Sequence, residues 1–313
     1  MIIIDKKRDI CVDPQTRLDI VLKDNNTLGI VHCCHRTLDL SDILPIEDFY
    51  KMDKETFKKY LENAYYNIPI NHDYTVYKSC RAVSKEKCIY GTKKLLTVGI
   101  GTSHQCNLLC PMCFEKNKKF LSIDADKKLY FHLLNLLKGN KNIGIRLTGY
   151  GEPFFYKKEM LDFLHSLSDN DTSHIEAISN ITLLNDDNIK ELYDISKRIP
   201  IMIAVSCSAI TPETYKIVHS QDYFNKVVNN IKLLNKYNLL EGINFVVQEE
   251  NLHELEFYHD YWSYNGIDDN NIKLDVNIKA QSYNKILNSK EYQNYRNKYS
   301  IKIINTINGL VTF

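Results

Sequence analysis

The chain has no long hydrophobic run, no excess of one charge, no low-complexity tract and no fixed-period repeat beyond an alternation of strands and helices. Each absence narrows what it can be. Its longest apolar stretch, Ile199 to Ile210, is too short to span a bilayer, so no membrane role is expected. Forty Lys and Arg stand against 39 Asp and Glu, a formal net charge of +1. That balance offers no electrostatic footprint for duplex nucleic acid or an anionic membrane surface. The opening residues Met1-Ile2-Ile3-Ile4-Asp5-Lys6 lack the charged region followed by an apolar region that a signal peptide needs. Nine cysteines with no export signal read as metal or redox ligands and not as disulfides. The expectation is a soluble cytoplasmic protein. Lys, Asn, Ile and Tyr are abundant throughout, a compositional bias that carries no function.

At 313 residues the chain can bury a full core and carry a smaller attachment. From about Leu95 onward, short β-branched runs alternate with longer amphipathic ones. Strands are predicted at Leu96–Gly101, Ile143–Thr148, Ile175–Ser179, Ile201–Ser206, Ile243–Val247 and Ile272–Val276, each rich in Ile, Val and Leu as in strands buried on both faces. Helices are predicted between them at Asp124–Lys138, Lys157–Ser168, Asp186–Lys197, Pro212–Lys236 and Leu252–Tyr264. Asn185-Asp186-Asp187 and Thr211-Pro212-Glu213 read as helix starts, the second with proline in the first turn. Six strand–helix units in series imply a parallel sheet with right-handed crossovers. Six falls short of the eight that close a full barrel, so the expected fold is α/β, a partial (β/α)6 TIM-like barrel over residues 93–313 with a C-terminal extension. Residues 1–92 do not alternate in this way. They hold a hairpin-like pair, Arg17–Leu22 and Leu28–His32, a helix at Lys54–Ala64 and a loop-rich stretch with Cys80 and Cys88, and are expected to form a small cysteine-containing unit with its boundary near Thr92.

In such sheets chemistry sits at the C-terminal ends of the strands. Cys106, Cys110 and Cys113 fall just after the first predicted barrel strand, at C-x3-C-x2-C spacing. Three thiolates on one loop can grip three corners of a cubane iron–sulfur cluster and leave the fourth iron open to a substrate or cofactor. An electron-transfer ferredoxin would normally supply a fourth cysteine. The alternatives are a structural zinc site or three buried thiols; zinc prefers four closed ligands, and His104 is the nearest imidazole. A second motif, Leu147-Thr148-Gly149-Tyr150-Gly151-Glu152-Pro153, ends the second strand. Its glycines let backbone groups approach a ligand closely, and its carbonyls can accept from an ammonium group. A strand-end turn is the plainer alternative. Ser179 and Asn180 end the third strand with hydroxyl and amide groups suited to ribose or carboxylate oxygens, or with a capping turn before Thr182.

The cysteine run and the Gly149-Tyr150-Gly151-Glu152-Pro153 element together resemble the radical S-adenosylmethionine (radical SAM) enzymes. The resemblance extends from about Leu95 to Ile278. It implies a 4Fe-4S cluster on Cys106, Cys110 and Cys113 that chelates S-adenosylmethionine through its amino and carboxylate groups. Reductive cleavage of the cofactor to a 5′-deoxyadenosyl radical, and hydrogen abstraction from a substrate, would follow. The cofactor-binding residues it implies are Phe114, Gly149, Tyr150, Gly151, Glu152, Pro153, Ser179, Asn180, Ser206 and Val247. The Phe245-Val246-Val247 strand end would pack on the adenine, or be plain buried sheet. The family often has an acidic residue where Ser208 stands and an arginine near His219; neither is present. Cys207 reads as core.

Near the N-terminus, Cys11, Gly29-Ile30-Val31-His32-Cys33-Cys34, Cys80 and Cys88 resemble the auxiliary-cluster segments, of the SPASM and twitch types, of radical SAM maturases. Those segments normally follow the barrel. The resemblance implies a second 4Fe-4S cluster on Cys11, Cys34, Cys80 and Cys88; zinc on Cys33 or Cys34 with His32 or His35, or reduced thiols without metal, are the competing readings. Because auxiliary-cluster relatives often modify peptides, the expected substrate is a peptide, with sugar or small-metabolite dehydrogenation or epimerisation as the alternative. A low-potential electron donor such as flavodoxin or ferredoxin is the implied partner. A non-catalytic iron–sulfur or zinc-binding protein is the remaining alternative, but a carrier has no need of an element that binds a sulfonium amino acid.

Overall fold

The computed structural model describes residues 4–5, 10–11, 17–31, 41–66, 97–101, 104–113, 121–147, 151–276, 285–298 and 311–312. The chain divides into two compact units, one of Met1–Gln105, Lys118–Glu176 and Arg198–Pro200, the other of Cys106–Asn117, Ala177–Lys197 and Ile201–Phe313. The expected boundary near Thr92 lies outside the described residues.

In the first unit, β1 (Ile4–Asp5) and β2 (Ile10–Cys11) form a short antiparallel pair. The predicted hairpin is β3 (Arg17–Leu22) and β4 (Thr27–Val31), paired antiparallel from Asp19↔Val31 to Leu22↔Leu28. Asp24 closes its turn by accepting from the Asn26 and Thr27 backbone N–H groups at 2.8 and 2.9 Å, the local side-chain bond that makes Asp a turn former. After β5 (Ser41–Pro45) come α1 (Ile46–Lys51) and α2 (Lys54–Tyr66). β6 (Thr97–Gly101) then pairs parallel with β3, Arg17 opposite Thr97 and Val21 opposite Gly101, so the hairpin continues the same ladder as the first strand of the expected series. β7 (Gly144–Leu147) pairs parallel on the other side of β6, giving the order β5-β4-β3-β6-β7.

β6 is buried at all five positions, which its Thr-Val-Gly-Ile-Gly composition permits. Glycine is required at its centre. A Cβ on Gly99 would lie 1.8 Å from Oδ1 of Asp19, the residue opposite it on β3. α3 (Ile123–Leu137) starts where the Ser122 hydroxyl accepts from Ala125 N–H, and buries Leu129, Leu133, Leu134 and Leu137 at helical spacing. Each such leucine contributes about 1.5–3 kcal/mol by leaving water. An imidazole N–H of His132 on this helix donates to the Phe49 carbonyl of α1 at 2.9 Å. α4 (Lys157–His165) follows β7, three residues shorter than predicted.

The second unit carries the last three residues of β8 (Ile175–Ser179), then β9 (Ile201–Ser206), β10 (Leu240–Val247), β11 (Ile272–Val276) and β12 (Val311–Thr312), in that spatial order. β9, β10 and β11 are parallel and β12 is antiparallel to β11. Its helices are α5 (Asp186–Ser196), α6 (Pro212–His219), α7 (Phe224–Lys236), α8 (Leu255–Tyr264) and α9 (Lys290–Lys298). Both predicted helix starts are present: Asn185 and Asn188 form a reciprocal capping box, and Thr211 caps α6 ahead of Pro212. The fold is mixed α/β, and among the described residues the ladder of neither unit closes on itself, which is compatible with a partial barrel.

Two helices differ from the expectation. The single helix expected over Pro212–Lys236 is broken into α6 and α7, because Ser220 adopts a left-handed conformation (φ 59°) and ends α6. The buried positions shift register there, from Val218 and His219 to Phe224 and Val227, with none of residues 220–223 buried. The start of the helix expected at Leu252 is instead a 3-10 turn, Glu249–Glu254.

In the first unit, Glu176 accepts from His174 Nε2 at 3.2 Å and lies 3.5 Å from the Arg146 guanidinium. Burial raises its pKa, but the His174 hydrogen bond and the Arg146 charge overcome that and bring the carboxyl from 4.5 down to about 2. A depressed carboxyl stabilises the fold fully above its unfolded value and loses that contribution as pH falls through the folded one. Glu176→Gln should therefore lower stability by up to about 3 kcal/mol near pH 7, with the gap to wild type closing towards pH 2. Chemical denaturation across that range checks it. A gap that stays constant with pH would contradict the assignment.

Candidate functional site

The three cysteines lie in the second unit, on a loop whose shape follows from its own residues. Cys113 N–H donates to the Cys110 carbonyl at 3.0 Å, closing a β-turn over Pro111-Met112. Proline at the second position suits such a turn and brings residues i and i+3 together. The Cys106 sulfur accepts from the Leu108 backbone N–H at 3.4 Å and from the Asn180 side-chain amide at 3.7 Å. Cys106 and Cys110 are half-buried and Cys113 is exposed. Among the described residues, no three His, Cys, Asp or Glu side chains gather where one ion could sit.

At the end of β8 the chain makes a tight polar turn. Ser179 Oγ accepts from Ile181 N–H at 2.9 Å, and Asn180 Oδ1 accepts from the backbone N–H and hydroxyl of Thr182 at 2.9 and 2.6 Å. The Asn180 amide also donates to Asn107 Oδ1 at 3.2 Å, while Asn107 donates to the Thr182 hydroxyl at 2.8 Å. Ser179 and Asn180 are thus engaged in the capping turn, and Asn180 in holding the cysteine loop. Ile181 has φ 51° and is fully buried. A β-branched residue there is strained, and such strain persists only where the surroundings over-determine it. Asn230 on α7 supplies that constraint, donating to the Ile181 and Leu184 carbonyls at 3.0 and 3.2 Å.

The far side of the cysteine loop meets the end of α6. His219 is buried; its Nδ1 lies 3.4 Å from Cys110 Sγ, and its Nε2 accepts from the Ser208 backbone N–H at 3.1 Å. Burial lowers its pKa to about 4, so the ring is neutral near pH 7. Ser220 donates its hydroxyl to the Leu109 carbonyl at 3.0 Å. His219 stands near the position where the family often has an arginine, and no residue pattern signals that it reaches a cysteine 109 residues away. Asn107, Thr182 and Asn230 were also missed, since isolated amides and hydroxyls in a chain rich in Asn carry no pattern.

In the first unit, Glu152 and Pro153 are buried and Gly151 is partly buried. Glu152 N–H donates to the carbonyl of Gln105, the residue before Cys106, at 2.8 Å, and its side chain accepts from Phe154 N–H at 3.1 Å. Tyr156 locks the following segment, donating to Asp126 Oδ2 at 2.7 Å and to the Ile123 carbonyl at 3.0 Å. Phe114, Gly149 and Tyr150 lie outside the described residues, as do Cys34, Cys80 and Cys88; Cys11 is described as part of β2 by its backbone alone. In the second unit, Ser206 is half-buried at the end of β9 and Val247 fully buried at the end of β10. Cys207 is fully buried, its thiol pushed up to about 12 by burial, in keeping with a core role.

The sequence profile of the radical SAM superfamily matches residues 100–261, just over half of the chain. The chain belongs to that superfamily. The family implies a 4Fe-4S cluster and S-adenosylmethionine. An uncharacterized protein of Methanocaldococcus jannaschii is 30% identical over 141 residues, which cover 44% of this chain and 43% of that one. Among solved structures, a polyhistidine-tagged anSMEcpe with bound AdoMet is 19% identical, with a TM-score of 0.47, covering 66% of this chain and 57% of that one. Streptococcus suis SuiB bound to precursor peptide SuiA is 13% identical with a TM-score of 0.41, covering 83% and 61%. The radical SAM chain therefore spans about half the length of the relatives it matches. Among its described residues no helix is long and apolar enough to cross a membrane.

Asn230→Leu should take the side-chain donor from the buried Leu184 carbonyl and leave the Ile181 carbonyl with the Leu184 N–H alone, destabilising the protein by about 1–3 kcal/mol for the one group left unsatisfied. Denaturant unfolding measures this. A change under about 0.5 kcal/mol, the range of an ordinary surface substitution, would mean that Ile181 holds its conformation without Asn230.

Proposed function

We propose that this chain is a radical SAM enzyme in which Cys106, Cys110 and Cys113 ligate three irons of a 4Fe-4S cluster. The observation that carries the reading is the set of N–H groups turned towards two of the sulfurs: Leu108 and Asn180 at Cys106, and His219 at Cys110. Such donors suit thiolates, the state in which cysteine binds metal, because hydrogen bonds to an ionised acceptor are the stronger ones. When bound, the cluster supplies the electron that cleaves S-adenosylmethionine to the 5′-deoxyadenosyl radical. The protein's part is to bind, orient and shield. Gly149, Tyr150 and Gly151 would offer backbone carbonyls to the cofactor's ammonium, with Glu152 and Pro153 fixing that turn. Ser179, Asn180, Ser206 and Phe114 would line the cofactor, and Val247 would pack on its adenine.

The finer reading is hydrogen abstraction from a peptide, with electrons from a flavodoxin- or ferredoxin-like donor. It rests on the resemblance of the N-terminal cysteines to auxiliary-cluster segments, and it includes a second 4Fe-4S cluster on Cys11, Cys34, Cys80 and Cys88.

Changing Cys106, Cys110 and Cys113 together to Ala should abolish 5′-deoxyadenosine formation from S-adenosylmethionine under reducing conditions. Iron in anaerobically reconstituted protein should fall from about eight per chain to about four, one cubane remaining. Chromatography of the products and an iron assay check both. Cofactor cleavage by the triple variant would overturn the reading; an iron content of about four in wild type, falling to none, would remove the second cluster and leave the first.

A further inference from the structure

His219 is a buried imidazole whose two nitrogens are both assigned by their partners. A backbone N–H can only donate, so the Ser208 N–H at 3.1 Å requires a lone pair on Nε2. A ring with that lone pair carries its one N–H on Nδ1, and Nδ1 lies 3.4 Å from the Cys110 sulfur. Each group in this chain is itself held. Ser208 is fully buried, its hydroxyl accepting from Val246 N–H at 3.0 Å and its carbonyl from the Asn251 amide at 2.8 Å. The imidazole lies against the Tyr215 ring with centroids 4.4 Å apart. Ser220 ends the helix just beyond it and bonds to Leu109, next to Cys110. The ring can neither turn over nor withdraw without breaking one of these bonds.

We infer that His219 is a positioning residue that donates an N–H···S hydrogen bond to Cys110 and thereby raises the reduction potential of the cluster Cys110 ligates. The inference rests on the reading of Cys106, Cys110 and Cys113 as cluster ligands. Its physical basis is that an added electron increases the negative charge shared by the ligand sulfurs. A donor fixed on one of them is therefore stronger in the reduced state, and hydrogen bonds to sulfur are among the levers that set cluster potentials. The ring acts as a dipole of fixed direction and carries no net charge, unlike an arginine, which would supply a counter-ion.

The experiment is an EPR-monitored redox titration of the anaerobically reconstituted full chain, following the signal that changes when S-adenosylmethionine is added. Wild type is compared with His219→Leu, which has no donor, and with His219→Asn, whose amide nitrogen replaces Nδ1. The leucine variant should bind as much iron as wild type but show a midpoint more negative by at least the 59 mV that a tenfold weaker one-electron affinity represents. The asparagine variant should recover most of that shift. A structural cap on Ser208 alone would alter thermal stability and leave the midpoint where it was, and that result would overturn the inference. If the leucine variant does not fold, pulsed EPR of reduced wild type labelled with 15N-histidine decides the matter. A weak nitrogen coupling that disappears in His219→Asn supports the bond, and its absence in wild type overturns it. A wild-type chain whose three cysteines assemble no cluster would overturn the underlying reading as well; an assembled cluster with an unmoved midpoint would overturn this inference alone.

Discussion

Sulfur is a weak hydrogen-bond acceptor unless it is ionised, yet three N–H groups of the second unit are directed at two cysteine sulfurs. They come from the cysteine loop itself, from the turn after β8 and from the last residue of α6. Much of the unit's irregular structure serves to aim them. The left-handed Ile181 turns the chain so that Asn180 faces the loop, and Asn230 on α7 holds that conformation. The left-handed Ser220 ends α6 just after His219, so the imidazole sits at a helix end where it can reach Cys110. Two strained or unusual backbone positions thus flank the same loop, one on each side.

The first unit shows a different economy. Its polar interior includes close pairs: Asp19 against the bare backbone of Gly99, Glu176 between His174 and Arg146, and Asp126 receiving the Tyr156 hydroxyl. These groups set strand register and helix placement. The Gly151-Glu152-Pro153 turn belongs to this unit and is tied by backbone to Gln105, directly ahead of Cys106 in the chain.

Much of this architecture was legible in the sequence. Short segments rich in Ile, Val and Leu marked the strands, although burial alternates along β8 and much of β10. Asn185 and Thr211 marked helix starts because a side-chain oxygen at that position answers an orphan N–H. The cysteine spacing and the glycine-rich strand end pointed to the superfamily. The break between α6 and α7 was not legible, since a left-handed serine leaves no compositional trace. Nor were Asn107, Asn180 and His219 as partners of the cysteine loop, because their role depends on contacts across 73 to 109 residues of chain. The three cysteines were readable from spacing; the donors directed at their sulfurs were readable from structure.

The central claim is that three cysteines hold a cubane with one iron left for the cofactor. Mössbauer spectroscopy of protein reconstituted with 57Fe, in a variant lacking Cys11, Cys34, Cys80 and Cys88, tests it most directly. The account predicts four irons per chain, one of them distinct, with parameters that move when S-adenosylmethionine is added while the other three stay put. Four equivalent irons that ignore the cofactor would contradict it.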